Sequence, residues 1–321
     1  MQIPQLEAVR AIAKSGFNMS AAAEILNRSQ SGLSRQVKEL ESELGVRIFA
    51  RTKNNIVGLT PQGEEVLRIG QRILSDAENL RRVGSWTSTD TEVELRIATT
   101  HVHARYFLPR ILKSFTERFP ETLLTLQQRD PVDCCSAVAA GEVDIALSTV
   151  DERLRHKIVA IPAYSLTSGV YVPKRHPLLR EKGLTLKKLS EFPFIAYSPA
   201  FAMRMAVDDT FAKAGLRPRI VCTATDADVC KAYVEAGMGI AILAKLAFDP
   251  ARDTNLAVLD VGSLFEPSTV CVAFRRNAYL SRSLYAFVST WAPHLSQQAI
   301  RLALEGAKPG TARKATALPK L

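Results

Sequence analysis

Long apolar runs are absent from this 321-residue sequence. Nowhere do about 18 apolar residues follow one another, the length a membrane-spanning helix needs, and the first residues lack the apolar core of a signal peptide. A cytoplasmic protein without membrane contact is expected. Cysteine is scarce as well. Cys134, Cys135, Cys222, Cys230 and Cys271 form no CxxC pair and no Cys/His metal spacing, and their odd number argues against a complete disulfide framework. Buried thiols are the expectation. No glycine-rich phosphate loop follows a strand, and His101, His103, His156, His176 and His294 have neither a nucleophile partner nor metal-ligand spacing. No catalytic residue, metal or cofactor is therefore assigned, and an enzyme is not expected. Charge, by contrast, is plentiful and one-sided. A formal net charge of +10 and a pI of about 9.5 suit a polyanion, or equally an acidic membrane surface. Residues 1–90 carry 12 Lys+Arg against 10 Asp+Glu, net +2, which leaves +8 for the rest. Any partner must therefore be argued from where the cations sit.

The densest information lies in residues 18–60. Ser20 can cap a short helix over Ala21–Leu26, whose alanines let a second helix approach closely, and Asn27-Arg28 make a tight break. Ser29 can cap a longer helix in which Leu33, Val37, Leu40 and Leu44 form one apolar stripe, ended by Gly45. Away from that stripe lie Gln30, Ser31, Ser34, Arg35 and Lys38, near the helix N-terminus, where a recognition helix meets base edges and phosphates. A merely solvated polar face is the bland alternative for one helix taken alone. The neighbours argue against it. An earlier helix, opened by Pro4, supplies Leu6, Val9, Ile12 and Ala13 as a third wall. Beyond Gly45, the segments VRIFAR and IVGLT flank the turn-rich tip Thr52-Lys53-Asn54-Asn55, a hairpin that places Arg51 and Lys53 as wing contacts to phosphates. Ser20, Ser29, Gln30, Ser31, Ser34, Arg35, Lys38, Arg51 and Lys53 are thus the candidate DNA-binding set, with double-stranded DNA as partner.

The run SQSGLSRQVKELESELGVRIFAR followed by LTPQGEEVL resembles the N-terminal domain of LysR-type transcriptional regulators; Ser31 stands where many members have proline. Thr60-Pro61 opens a helix that continues to about Val83, with Val66, Ile69, Ile73, Ala77 and Leu80 along one side. That stripe either packs on its own domain or meets an antiparallel helix of a second subunit, the arrangement the resemblance implies. Two recognition helices related by two-fold symmetry read an interrupted inverted repeat. Gly84–Thr91, rich in Ser and Thr, reads as a hinge.

Strand and helix patterns then alternate: ELRIAT, a helix over Arg105–Phe119, TLLTLQQ, a helix over Val132–Ala140, and VDIALS. Such alternation implies a mostly parallel sheet covered by helices. A second block begins near Tyr164, and the chain returns with VCVAFRR and a helix over Leu280–Trp291. A return of this kind suggests two lobes joined by crossover strands around a cleft. The expected fold is an N-terminal all-α winged helix-turn-helix plus a C-terminal α/β effector domain of two lobes, periplasmic-binding-protein-like, type 2. The expected divisions are 1–60 for the winged domain, 61–91 for the linker helix and hinge, and 92–300 for the effector domain. Within the last, lobe I takes about 92–163 and 269–300, and lobe II 164–268; 301–321 is expected to be a flexible basic tail.

The segments IATTHVHARYFLP, GLRPRIVCTATDADVCKAYVEAGMGI and VAFRRNAYLSRSLYAFVSTWAPHL are similar to those of the CysB-type subgroup, the sulfur-assimilation regulators, with a likeness spread over most of the chain. Thr99–His103 lies between a strand end and a helix start, where backbone N–H groups and hydroxyls converge on an anion, unless Thr100 simply caps the helix. In the subgroup, threonines and a glutamine from these positions hold the inducer or sulfate. Thr100 and Thr149 match, whereas Val102 and Ala202 replace threonines and His103 replaces the glutamine. Two lost hydroxyls, at about 1.5–3 kcal/mol each, disfavour sulfate, and a protonated His103 would restore part of that loss. The expected effector is a sulfonate or another organosulfur anion with an apolar portion facing Val102 and Ala202. Activation of sulfur-acquisition genes, a tetramer and contact with RNA polymerase are implied by the resemblance. A LysR-type regulator of an unrelated catabolic pathway and a solute-binding protein are the alternatives, and the first 60 residues argue against the latter. Asp226 and Asp228, at a helix start, are expected to cap it or favour its dipole.

Overall fold

A computed structural model describes every residue except 53–54, 85–92, 262–263, 277, 279 and 306–317. Lys53, nearly all of the expected hinge and most of the expected tail lie outside the described residues. The chain divides into two units, one built from the elements before residue 85, the other from those after residue 92.

The first unit contains α1 (Ile3–Lys14), α2 (Met19–Ile25), α3 (Gln30–Leu44), β1 (Phe49–Thr52), β2 (Asn55–Leu59) and α4 (Pro61–Gly84). Pro4 sits in the first turn of α1, where its missing N–H costs nothing. Helix α2 begins earlier than its serine suggests. Asn18 is the cap, its Oδ1 accepting the N–H groups of Ser20 and Ala21 at 3.0 and 3.1 Å, so the expected Ser20 cap is corrected. An Asn side chain two residues upstream reaches these donors and leaves Ser20 exposed within the helix. Ser29 caps α3 through the Gly32 N–H at 3.1 Å, and Gly45 ends it with φ +67°, a backbone state that glycine adopts without strain. Leu6, Val9, Ile12, Leu33, Val37 and Leu40 are buried against Ala22 and Ala23, whose small side chains permit the close approach. Each such leucine contributes about 1.5–3 kcal/mol on burial.

The hairpin β1–β2 pairs Phe49 with Leu59 and Thr52 with Asn55, with a bulge between Ala50 and Arg51. Thr60 caps α4, its Oγ1 accepting the Gly63 N–H at 2.9 Å. Gly63 is required there: a Cβ would lie 1.9 Å from the Ile48 carbonyl oxygen. The first half of α4 packs on its own unit through Val66, Leu67, Ile73 and Leu74, whereas Leu80 is 73% exposed.

The second unit is an α/β domain of two lobes. Lobe I opens with β3 (Val93–Thr99), α5 (Leu108–Arg118), β4 (Thr122–Gln128), α6 (Pro131–Ala140), β5 (Ile145–Ser148) and β6 (Ile158–Leu166). The chain crosses at Thr167 into lobe II, which holds β7 (Ser168–Pro173), α7 (Leu186–Ser190), β8 (Phe194–Tyr197), α8 (Ala202–Lys213), β9 (Ile220–Ala224), α9 (Ala227–Glu235), β10 (Ile240–Ala244) and β11 (Leu256–Asp260). It returns as β12 (Ser268–Arg275), α10 (Arg282–Trp291) and α11 (Gln297–Leu304). Lobe I has the sheet order β4-β3-β5-β12-β6, with β3 parallel to β4 and β5; lobe II has β11-β7-β10-β8-β9, with β8 parallel to β9 and β10. The expected lobe boundary at 163/164 falls inside β6, whose pairing with β12 runs on to Leu166, so lobe I extends to that residue.

Two further expectations are corrected. The helix expected over Arg105–Phe119 has two parts: a wider π turn over His103–Phe107, closed by the Leu108 N–H on the His103 carbonyl, precedes α5. Pro109 has no N–H to continue an α-helical ladder, which accounts for the extra residue in the turn. The expected tail from 301 begins inside α11, and the described residues 318–321 pair with β6, where Ser165 donates to the Pro319 carbonyl and accepts the Leu321 N–H, both at 2.9 Å.

Candidate functional site

On the first unit, Ser20, Ser29, Gln30, Ser31, Arg35 and Lys38 are exposed, while Ser34 is half-buried. Gln30, Ser31, Ser34, Arg35 and Lys38 lie on α3, and Ser29 caps it. Arg35 donates from Nε to Glu39 at 2.8 Å, an exposed pair that water and salt readily break. Arg51 is more constrained: it lies 3.3 Å from Glu41, whose other oxygen accepts the N–H groups of Ile48 and Phe49. Arg28, read from the sequence only as part of a tight break, donates to the Pro4 carbonyl and to Gln36 and so ties α1 to α3.

In the second unit the C-terminal ends of the parallel strands of both lobes face one cavity of about 40 Å³. Open α/β sheets place ligands at such strand ends. All five expected effector residues line it: Thr100, Val102, His103, Thr149 and Ala202. The first three follow β3, Thr149 follows β5, and Ala202 is the first residue of α8. Helix α8 is capped by no side chain, since Phe201 occupies the cap position, so its first N–H groups are left for another partner. Apolar side chains, Val102, Leu166, Phe201 and Met203 among them, form much of the wall. Among the described residues lining the cavity there is no lysine or arginine.

His103 is 2% exposed, and its Nδ1 lies 2.9 Å from Thr100 Oγ1, so Thr100 is engaged by the imidazole. Burial pushes the imidazole down to about 4, and the ring is neutral near pH 7. The expectation of a protonated His103 compensating for lost hydroxyls is thereby corrected: the ring is too deeply desolvated to carry a charge. Its Nε2 is buried without a partner, as are His101 Nδ1 and Tyr197 Oη, and all three residues line the cavity. Buried polar groups are nearly always satisfied, and a ligand is one way to satisfy them.

Beside the cavity the lobes are fastened by a polar clamp that the sequence did not announce. Lys231 on α9, 5% exposed, donates from Nζ to Tyr106 Oη at 2.7 Å, to the Ala247 carbonyl at 2.9 Å and to both Asp253 oxygens at 2.9 Å. Asp228 accepts from Tyr106 Oη and lies 2.6 Å from Arg105 Nε and 3.3 Å from His101 Nε2. Tyr106, Arg105 and His101 belong to lobe I, Asp228 and Lys231 to lobe II. Burial alone would pull Lys231 down, but hydrogen bonds to Tyr106, Asp253 and Asp228 outweigh it and hold the amine above its usual value. Asp228 therefore joins the lobes, where a dipole role was expected, whereas Asp226 does cap α9 through the Val229 N–H at 2.8 Å. The one sequence signal for the clamp was the Asp228–Lys231 pair at i, i+3 on a helix. Cys134, Cys135, Cys230 and Cys271 are buried free thiols and Cys222 is half-buried; burial pushes Cys230 up to about 12 and Cys271 to about 11.

Comparison with known proteins places both units. Residues 3–64 match the family described as "Bacterial regulatory helix-turn-helix protein, lysR family", and residues 89–295 match "LysR substrate binding domain". The chain is 43% identical over 300 residues to the HTH-type transcriptional regulator SsuR of Burkholderia cenocepacia, covering 94% of this chain and 97% of that one. It is 39% identical over 306 residues to the HTH-type transcriptional regulator CysB of the same organism, covering 95% and 98%. Among solved structures it is similar to the cofactor-binding domain of the Cbl transcriptional regulator, with a TM-score of 0.64, 34% identity and coverage of 69% of this chain and 97% of that one. A helix-turn-helix unit and a two-lobed effector domain, matched over nearly the whole chain, lead to one conclusion: the protein belongs to the LysR family of transcriptional regulators.

Proposed function

We propose that the protein is a cytoplasmic activator of sulfur-acquisition genes, acting as a dimer or tetramer on an interrupted inverted repeat and controlled by an organosulfur anion held between the lobes. The observation that carries the effector reading is the composition of the cavity. Thr149 and the uncapped start of α8 offer donors to an anionic head, while Val102, Ala202 and Met203 offer an apolar wall that inorganic sulfate could not use. A sulfonate or sulfate ester has both parts. The sulfur assignment follows the likeness to CysB-type regulators, as do activation, tetramer formation and contact with RNA polymerase. Dimerisation through α4 is supported by Leu80, exposed on a helix whose earlier apolar residues are covered.

Calorimetry on the full-length protein tests the effector class: alkylsulfonates bind, and Thr149→Ala weakens them. Micromolar binding of sulfate or acetylserine, abolished by Thr100→Ala, would overturn it in favour of the usual ligand pair. A mobility-shift titration tests the DNA assignment. Arg35→Ala combined with Lys38→Ala weakens binding and lowers the salt slope by about one for each phosphate that the variant leaves unneutralised. An unchanged shift removes Arg35 and Lys38 from the interface.

A further inference from the structure

The cavity wall holds acceptors as well as donors, and the mixture specifies more of the ligand than an anionic head. His101 lies with Nε2 3.3 Å from Asp228 Oδ2. A carboxylate oxygen only accepts, so its position beside Nε2 favours a ring proton there, which makes Nδ1, buried and unpartnered, an acceptor. Asp226 lines the same cavity and spends one oxygen lone pair on the Val229 N–H at 2.8 Å, which leaves the rest of its carboxylate for another donor. Two acceptors thus share the cavity with no lysine or arginine among the described lining residues to meet them. Tyr197 and Phe201, stacked on one another at 4.9 Å, also line it, and aromatic rings attract cations. Donors for an anion line the same cavity: the Tyr197 hydroxyl, 4% exposed as a residue and unpartnered, the Thr149 hydroxyl and the open start of α8.

A ligand bearing only negative charge would leave His101 Nδ1 unsatisfied and would share the cavity with the Asp226 carboxylate. A ligand carrying its own cationic donor satisfies the nitrogen, balances the carboxylate and still delivers the anionic head to α8. We infer that the effector is a small zwitterion, an ω-ammonio sulfonate, whose ammonium is received by Asp226 and His101 while its sulfonate meets Thr149, the Tyr197 hydroxyl and the start of α8. The inference rests on the reading of the cavity as a sulfonate site and adds the second pole.

The test compares two ligands of the same size, aminoethanesulfonate and propanesulfonate, which differ in an ammonium against a methyl group. By calorimetry on the full-length protein, aminoethanesulfonate binds at least about tenfold more tightly, a difference of roughly 1.4 kcal/mol. Asp226→Asn keeps a side chain able to cap α9, so the fold is retained, as an unchanged melting temperature verifies. In that variant the ratio between the ligands collapses to within about twofold through loss of aminoethanesulfonate affinity. Equal affinities in the wild-type protein, or an undiminished ratio in the variant, overturn the zwitterion and leave the sulfonate reading standing. Failure of both ligands to bind the wild type overturns both.

Discussion

His103 shows how burial decides what a residue can do. In sequence it stands as a titratable group close to two threonines; in the fold it is a neutral, half-satisfied donor–acceptor whose Nδ1 is taken by Thr100. An imidazole held below its ordinary 6.5, at about 4, takes up a proton on unfolding. Its contribution to stability is therefore complete above about 6.5 and is lost as pH falls towards about 4. The full effect is on the order of 3 kcal/mol. Urea unfolding at neutral pH and near pH 4 should show the wild-type protein losing more stability than His103→Phe by roughly that amount, and equal losses would place the imidazole nearer to solvent than the structure does. The position of Thr100, Val102 and His103 at the cavity was legible because a strand end followed by a helix start is a local pattern, whereas Ala202 was reached only through the resemblance to CysB-type regulators. The partners of Lys231 were not, since Tyr106 lies 125 residues away, a juxtaposition that only the two-lobed topology creates.

Caps and breaks set the elements. The stripe of α3 could be read from its spacing because apolar periodicity survives in any context, and Gly45 and Ser29 mark its ends by mechanisms confined to a few residues. The start of α2 was misplaced because Asn18 and Ser20 are both good caps, and the choice between them depends on where the turn after α1 releases the chain, with Phe17 at φ +67°. A paired substitution separates them: Asn18→Ala costs about 1 kcal/mol, whereas Ser20→Ala changes stability by no more than about 0.5 kcal/mol. Chemical denaturation of the two variants measures both, and a larger loss for Ser20→Ala would reverse the assignment. The π turn before α5 was illegible for a different reason. Pro109 signals that a ladder is interrupted, but not whether the chain kinks, stops or widens by one residue.

For the molecule as a whole, two elements link local structure to assembly and response. Helix α4 carries buried Leu74 on its own unit and, further along, Leu80 at 73% exposure. Leu80→Asp should leave the melting of the monomer fold within about 0.5 kcal/mol of wild type while shifting sedimentation towards the monomer. A dimer that persists would assign its contacts elsewhere. The two-lobed plan was legible from the return of a strand and helix after a complete second block, whereas the end of lobe I was not, because β6 runs on with no break in its pattern until Leu166. The clamp of Tyr106, Asp228, Lys231 and Asp253 beside the cavity also has a bearing on time. His101 Nδ1, His103 Nε2 and Tyr197 Oη have almost no surface open to solvent while the lobes are fastened, so a ligand that reaches these atoms requires some opening of the cavity wall. The frequency of that opening, and no longer the number of encounters, then caps how fast the regulator can register a change in its surroundings and how soon it can forget one.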